Sequence, residues 1–175
     1  LTGANLSGAN LTGANLSWAV TNANLTNANL TSTNLSGMNL SGVNLTGANL
    51  NNVESGGITA APASLPSGWK LLKGYLVGPG AYLVAAFLGD VDLSNVNLTG
   101  ANLTRAILPW AVTNANLTNA NLTNTDLSGM NLSGVNLTGA NLSGADMSNV
   151  RSGGITGAPA SLPSGWKLLK GYLVG

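Results

Sequence analysis

Leucine returns at every fifth residue along most of this chain, and the residues between successive leucines are small or polar. Residues 6–16, LSGANLTGANL, show the unit: Ala two places before the Leu, Asn immediately before it, then Ser or Thr, then Gly or Asn. The first run of centres is Leu1, Leu6, Leu11, Leu16, Val20, Leu25, Leu30, Leu35, Leu40, Leu45 and Leu50. A second run begins at Leu83 and proceeds through Leu88, Leu93, Leu98, Leu103, Leu108, Val112, Leu117, Leu122, Leu127, Leu132, Leu137 and Leu142 to Met147. Both runs slip by one residue at the same place, SWAV at 17–20 and PWAV at 109–112, so the halves are copies.

A period of five matches neither the 3.6 of a helix nor the 2.0 of a flat strand. The backbone must therefore turn once per unit if Leu is to stay on one side. In extended backbone Ala and Leu, two apart, point to the same side, while Asn and the following hydroxyl residue point to the other. Gly or Asn at the fifth position accepts the unusual dihedrals of a corner. Four units then close a square coil with Ala and Leu inside. Met38, Val43 and Thr33 occupy the small interior site and imply that the core repacks along the axis. Trp18, at the slip, is too large for that site and is expected to turn outward or lie over a corner.

The pattern A-N-L-[ST]-[GN] resembles the pentapeptide-repeat family. That resemblance implies an all-β fold, a right-handed quadrilateral parallel β-helix, with the central Leu and the preceding small residue stacked inside. It covers nearly all of residues 1–50 and 83–147. It does not imply an activity, because one fold serves many functions. Some members of the family are similar to duplex DNA in shape and protect or inhibit DNA gyrase.

Between the runs the period dissolves into VESGGITAAPASLPSGW, a Gly/Pro/Ser-rich stretch that reads as an irregular loop. WKLLKGYLV then places two short β-prone runs around Lys73 and Gly74, a hairpin signal. Residues 152–175 repeat residues 55–78 almost letter for letter. The expected organisation is repeat solenoid over 1–52, loop and β-hairpin insert over 53–80, solenoid over 81–150, and a second insert over 151–175, all in one continuous solenoid with the inserts as lateral excursions. Leu1 falls in the middle of a repeat, which reads as an excerpt from a longer chain.

Charged residues are 6% of the chain and the formal net charge is +1. That balance supplies neither a basic footprint for nucleic acid nor the negative shell of a DNA mimic. Hydrophobic residues make up 44%, with one Phe, so the core is expected to be aliphatic. There is no Cys and no His. Asp90 and Asp92 lack the further oxygen ligands a calcium site needs, and no nucleophile, base and orienting group occur together. Catalytic residues, metal ligands and cofactors are expected to be absent. The apolar run 81–88 is too short to span a membrane. Asn-Leu-Ser/Thr triplets match the glycosylation acceptor pattern only as a by-product of the repeat.

Exposed apolar positions supply the candidate interface: Trp69 and Tyr75 on the first hairpin, Tyr82, Val84 and Phe87 on outward positions after it, and Trp166 and Tyr172 on the second hairpin. Such a patch usually covers something. Either the first hairpin folds over the Tyr82, Val84 and Phe87 face, or a second subunit does. A solenoid without capping helices leaves strand edges open, so end-to-end self-association into a rod or filament is the expected function. The alternatives are a surface for polysaccharide or ice built from the Ser/Thr and Asn files, and the DNA-mimic role.

Overall fold

The computed structural model describes residues 2–16, 21–89, 91–108 and 112–175. Trp18, the two slips at 17–20 and 109–111, Leu1 and Asp90 lie outside the described residues. Two compact units divide the chain, Leu1–Tyr82 and Leu83–Gly175.

In each unit the five-residue rhythm becomes a coil of parallel, single-residue β-bridges. In the first, Asn5, Asn24, Asn44 and Ser64 follow one another along one side, Asn10, Asn29 and Asn49 along a second, and Asn15, Asn34, Glu54 and Tyr82 along a third. Asn39 and Ala60 mark the fourth. Most partners lie 20 residues apart, or 19 where the sequence slip falls between them; Asn39 and Ala60 are 21 apart, and Glu54 and Tyr82, with the hairpin between them, are 28 apart. Twenty residues are four units, so each coil has four sides. The bonding rule is constant: the Asn24 N–H donates to the Ala4 carbonyl at 2.9 Å, and the Leu6 N–H donates to the Asn24 carbonyl at 2.8 Å. Asn therefore bonds back to the previous coil, and its flanking residues bond forward to the next.

The fifth residue makes the corner. Gly8 has φ 68°, Asn22 has φ 58°, and the Ala9 N–H closes the turn on the Leu6 carbonyl at 3.0 Å. Positive φ at the third position is what a type II turn demands. Asn corners stack over Gly corners in the next coil: a methyl group on Gly42 or Gly47 would collide with the side-chain oxygen of Asn22 or Asn27.

The central leucines of the described repeats turn inward. Leu25, Leu30, Leu35, Leu40, Leu45 and Leu50 are at most 1% exposed, as are Leu83, Leu88, Leu93, Leu98, Leu103, Leu132, Leu137 and Leu142 in the second unit. Each contributes about 1.5–3 kcal/mol by leaving water. Met38, Val43 and Thr33 fill the small interior site at 0% exposure. A buried hydroxyl needs a partner: Thr33 Oγ1 donates to the Leu11 carbonyl at 2.9 Å, and Thr125 Oγ1 to that of Leu103 at 2.7 Å.

The stretch expected to be an irregular loop keeps the path of the coil. Ala60 bridges Asn39 and Ser64 bridges Asn44, although the Leu period has vanished. Backbone pairing needs no side-chain rhythm, and the apolar filling is taken over by Ile58, 7% exposed, and by Leu65 at the edge of the core. The hairpin follows, with β1 over Lys70–Leu72 and β2 over Tyr75–Val77, antiparallel with Leu71 opposite Leu76. Lys73 and Gly74 have φ 48° and 77°, the two positive values of a type I′ turn. Leu76 enters the core of the first unit with Trp69 and Leu71 packed against it. Its N–H donates to Ser55 Oγ at 3.0 Å, and the Ile58 N–H donates to the Gly74 carbonyl at 3.1 Å. The second unit repeats the motif as β3, Lys167–Leu169, and β4, Tyr172–Val174.

Candidate functional site

The polar exterior is built on the asparagines. In each unit the Asn Oδ1 accepts the N–H of the residue two ahead, as Asn24 does from Thr26 at 3.1 Å. Where that residue is Thr, its hydroxyl in most cases also donates to the same oxygen, at 2.6 Å in Thr26 and 2.7 Å in Thr31, while that of Thr46 bonds Ser64 Oγ instead. Asn at this position thus satisfies a corner N–H that the coil ladder leaves over, the Asx device. Asp126 and Asp146 take the same place and accept from Ser128 and Ser148 at 3.0 and 2.9 Å. The backbone and hydroxyl of Ser148 hold the Asp146 carboxyl below its usual range.

The seven candidate interface residues fall into separate settings. Trp69 and Tyr75 are half-buried on the first hairpin. The indole covers Gly78, where a methyl would lie 2.5 Å from the ring, and the Tyr75 ring lies over Gly56. Tyr82 is half-buried and bridges Glu54 at the close of the first unit. Val84 is half-buried. Phe87 is 55% exposed, with its ring beside Gly89. Trp166 covers Gly175, and Tyr172 is 55% exposed.

Three further exposed apolar side chains were not singled out from sequence: Ile107, Leu169 and Val174, at 44%, 52% and 50%. Ile107 bridges Phe87, and Asp126 and Asp146 continue the same side, so one column of the second unit has no Asn at all. The available signal was the replacement of Asn by an apolar residue in two units 20 residues apart.

No group of three or more metal-ligating His, Cys, Asp or Glu side chains occurs among the described residues. No helix there is long and apolar enough to cross a membrane. What the surface offers is backbone edge, amides, hydroxyls and local apolar patches.

The family model for pentapeptide repeats matches residues 1–20, 21–54, 80–111 and 113–151, in eight copies. No curated protein sequence matches the chain. Solved structures similar to it include HetL, a pentapeptide repeat protein involved in heterocyst differentiation regulation from the cyanobacterium Nostoc sp. strain PCC 7120. It is 29% identical over 86% of this chain and 60% of HetL, with a TM-score of 0.44. The chain thus spans 60% of the length of that protein. The pentapeptide repeat protein Rfr23 from the cyanobacterium Cyanothece 51142 is 23% identical over 90% of both chains, with a TM-score of 0.25. A trypsin-treated form of QnrB1, a plasmid-mediated fluoroquinolone resistance protein, is 17% identical over 89% of this chain and 71% of its own, with a TM-score of 0.29.

Proposed function

The chain belongs to the pentapeptide-repeat family, and from that premise we propose that it is a non-catalytic structural solenoid whose copies stack end to end into a rod. The supporting observation is the uniform pairing of coil on coil, in which Ala23 and Leu25 bond forward to Asn44 as Ala4 and Leu6 do to Asn24. Asn24 uses both its N–H and its carbonyl on the coil before it. A coil face that pairs through the same backbone groups at successive levels is a template for another coil of its kind.

The polysaccharide or ice alternative has less support. The Thr hydroxyl protons of residues 26, 31, 104, 118 and 123 are engaged by Asn side chains, which leaves those files few donors for a ligand. A DNA-like surface needs strong negative charge, against a net charge of +1 here. Light scattering and electron microscopy across a concentration series test the stacking. Rods that lengthen with concentration are expected; short monodisperse particles at the highest concentration would overturn it.

A further inference from the structure

Residues 93–142 repeat residues 1–50 with nine exchanges. Most of them keep to the kinds of residue the repeat uses at that position: Ser94 for Thr2, Asn95 for Gly3, Val96 for Ala4, Thr99 for Ser7 and Asn124 for Ser32. Pro109, against Ser17, lies outside the described residues. The other three change the chemistry. Arg105 stands where the first copy has Gly13, Ile107 where it has Asn15, and Asp126 where it has Asn34.

All three fall on one side of the second unit. Ile107 bridges Phe87 on the coil before it and Asp126 on the coil after, and Asp126 bridges Asp146 in turn, so both have neighbours from this chain above and below. Phe87, Arg105, Ile107, Asp126 and Asp146 are all exposed. Arg105 forms a corner of that side with φ 57°, and Ala85 forms the corner of the coil before with φ 53°. Gly and Asn are at ease in this backbone, whereas other side chains are strained. Phe87 and Ile107 also give up the acceptor that Asn supplies to the N–H two residues ahead, as Asn102 does for Thr104 at 3.1 Å. Departures from a chain's own local rules that bring no gain in packing collect at working surfaces.

Along the coil axis this side runs from apolar to acidic, in steps of about 4.8 Å. Three such steps separate Phe87 from Asp146, about 14 Å, within reach of a short extended segment. Two exposed apolar side chains fall far below the roughly 800 Å² per partner of a standard protein interface. A second copy also matches poorly in charge. Side by side it sets Asp126 against Asp126; reversed, it sets an aspartate against Phe87 or Ile107, or leaves the aspartates unmatched. The carboxylates repel nucleic acid and anionic lipid alike.

We infer that this side holds a short polypeptide segment of another protein, apolar at one end and basic at the other. Its apolar side chains lie on Phe87 and Ile107, and its Lys or Arg on Asp126 and Asp146. Arg105, beside the apolar end, repels the basic end and so fixes the direction in which the segment lies. The surface runs along the flank of the coils and is independent of their stacking end to end.

A random heptapeptide library displayed on phage is selected on the immobilised full chain, and the enriched peptides are synthesised and titrated by fluorescence anisotropy. The comparison variant, Arg105→Gly/Ile107→Asn/Asp126→Asn, restores the residues of the first copy. Enriched peptides are expected to carry apolar side chains followed or preceded by Lys or Arg, and to bind the triple variant at least roughly tenfold more weakly. The variant should melt at the same temperature as the unaltered chain or higher, since it loses a strained corner and an exposed apolar side chain. No enrichment, enriched peptides without a basic end, or binding unchanged in the triple variant overturns the inference. A lowered melting temperature overturns it too, because these residues would then serve the packing of the coil.

Discussion

Gly8 and Gly42 occupy the same corner position with nearly the same backbone, φ 68° and 71°, but the space above them differs. A methyl on Gly8 meets nothing within 4 Å, whereas one on Gly42 runs into the Asn22 side-chain oxygen of the coil before. Alanine at either position bears the left-handed backbone cost, about 1–2 kcal/mol. Only at Gly42 must a neighbour also be displaced, an overpacking cost of about 1–3 kcal/mol. G8A should therefore lose about 1–2 kcal/mol and G42A about 2–5 kcal/mol. In a chain of this size a 2 kcal/mol gap separates the melting temperatures by about 4–8 °C. Asn22→Gly removes the obstructing amide, so N22G/G42A should recover most of the excess, a coupling visible in a double-mutant cycle. Thermal and urea unfolding followed by far-UV circular dichroism supply all four corners. Equal losses in G8A and G42A, or no rescue by N22G, would show that these corners do not stack and that the coil pairing is wrong.

Three further outcomes are expected. Thr33→Val and Thr125→Val keep the shape of the side chain and lose one hydrogen bond each. The acceptor carbonyls of Leu11 and Leu103 retain the N–H donors of Ala14 and Ala106, so each variant should lose only about 0.5–1.5 kcal/mol in urea titrations. The Asp146 carboxyl, held low by Ser148, adds stability above the unfolded value near 3.9 and loses it as pH falls through its folded value. Asp146→Asn should therefore flatten the acid limb of a plot of melting temperature against pH, and an unchanged limb counts against the Ser148 contacts. Lys170, at φ 49° in the second hairpin turn, holds a place that suits Asn better, so Lys170→Asn should raise stability by roughly 0.5–1 kcal/mol in chemical unfolding.

The inward Leu column, the corner at the fifth residue and the hairpin around Lys73 and Gly74 were legible because each rests on a local rule of spacing or dihedral preference. The path of residues 53–64 was not. Ala60 and Ser64 pair through their backbones, which leave no rhythm in the side chains, and the core there is filled by Ile58, Leu65 and Leu76 from three different places in the insert. The work of Asn was half visible. Its outward direction follows from the alternation, but its role as acceptor for the corner N–H depends on where the backbone turns. Leu169 and Val174 were missed for a different reason: their sequence is identical to that of Leu72 and Val77, and only the surroundings distinguish a covered hairpin from an open one.

Each coil touches the next through solitary residues in constant alignment, about one per side. Removing or adding twenty residues brings equivalent edges together again, with the same amide facing the same carbonyl. Genetic recombination between such segments yields a protein that still closes on itself, at almost any length. The near-identity of 55–78 and 152–175 marks the duplication of a larger segment that carried the hairpin with it. Overall length in this architecture is therefore a freely heritable quantity, adjustable in steps without redesigning a single contact.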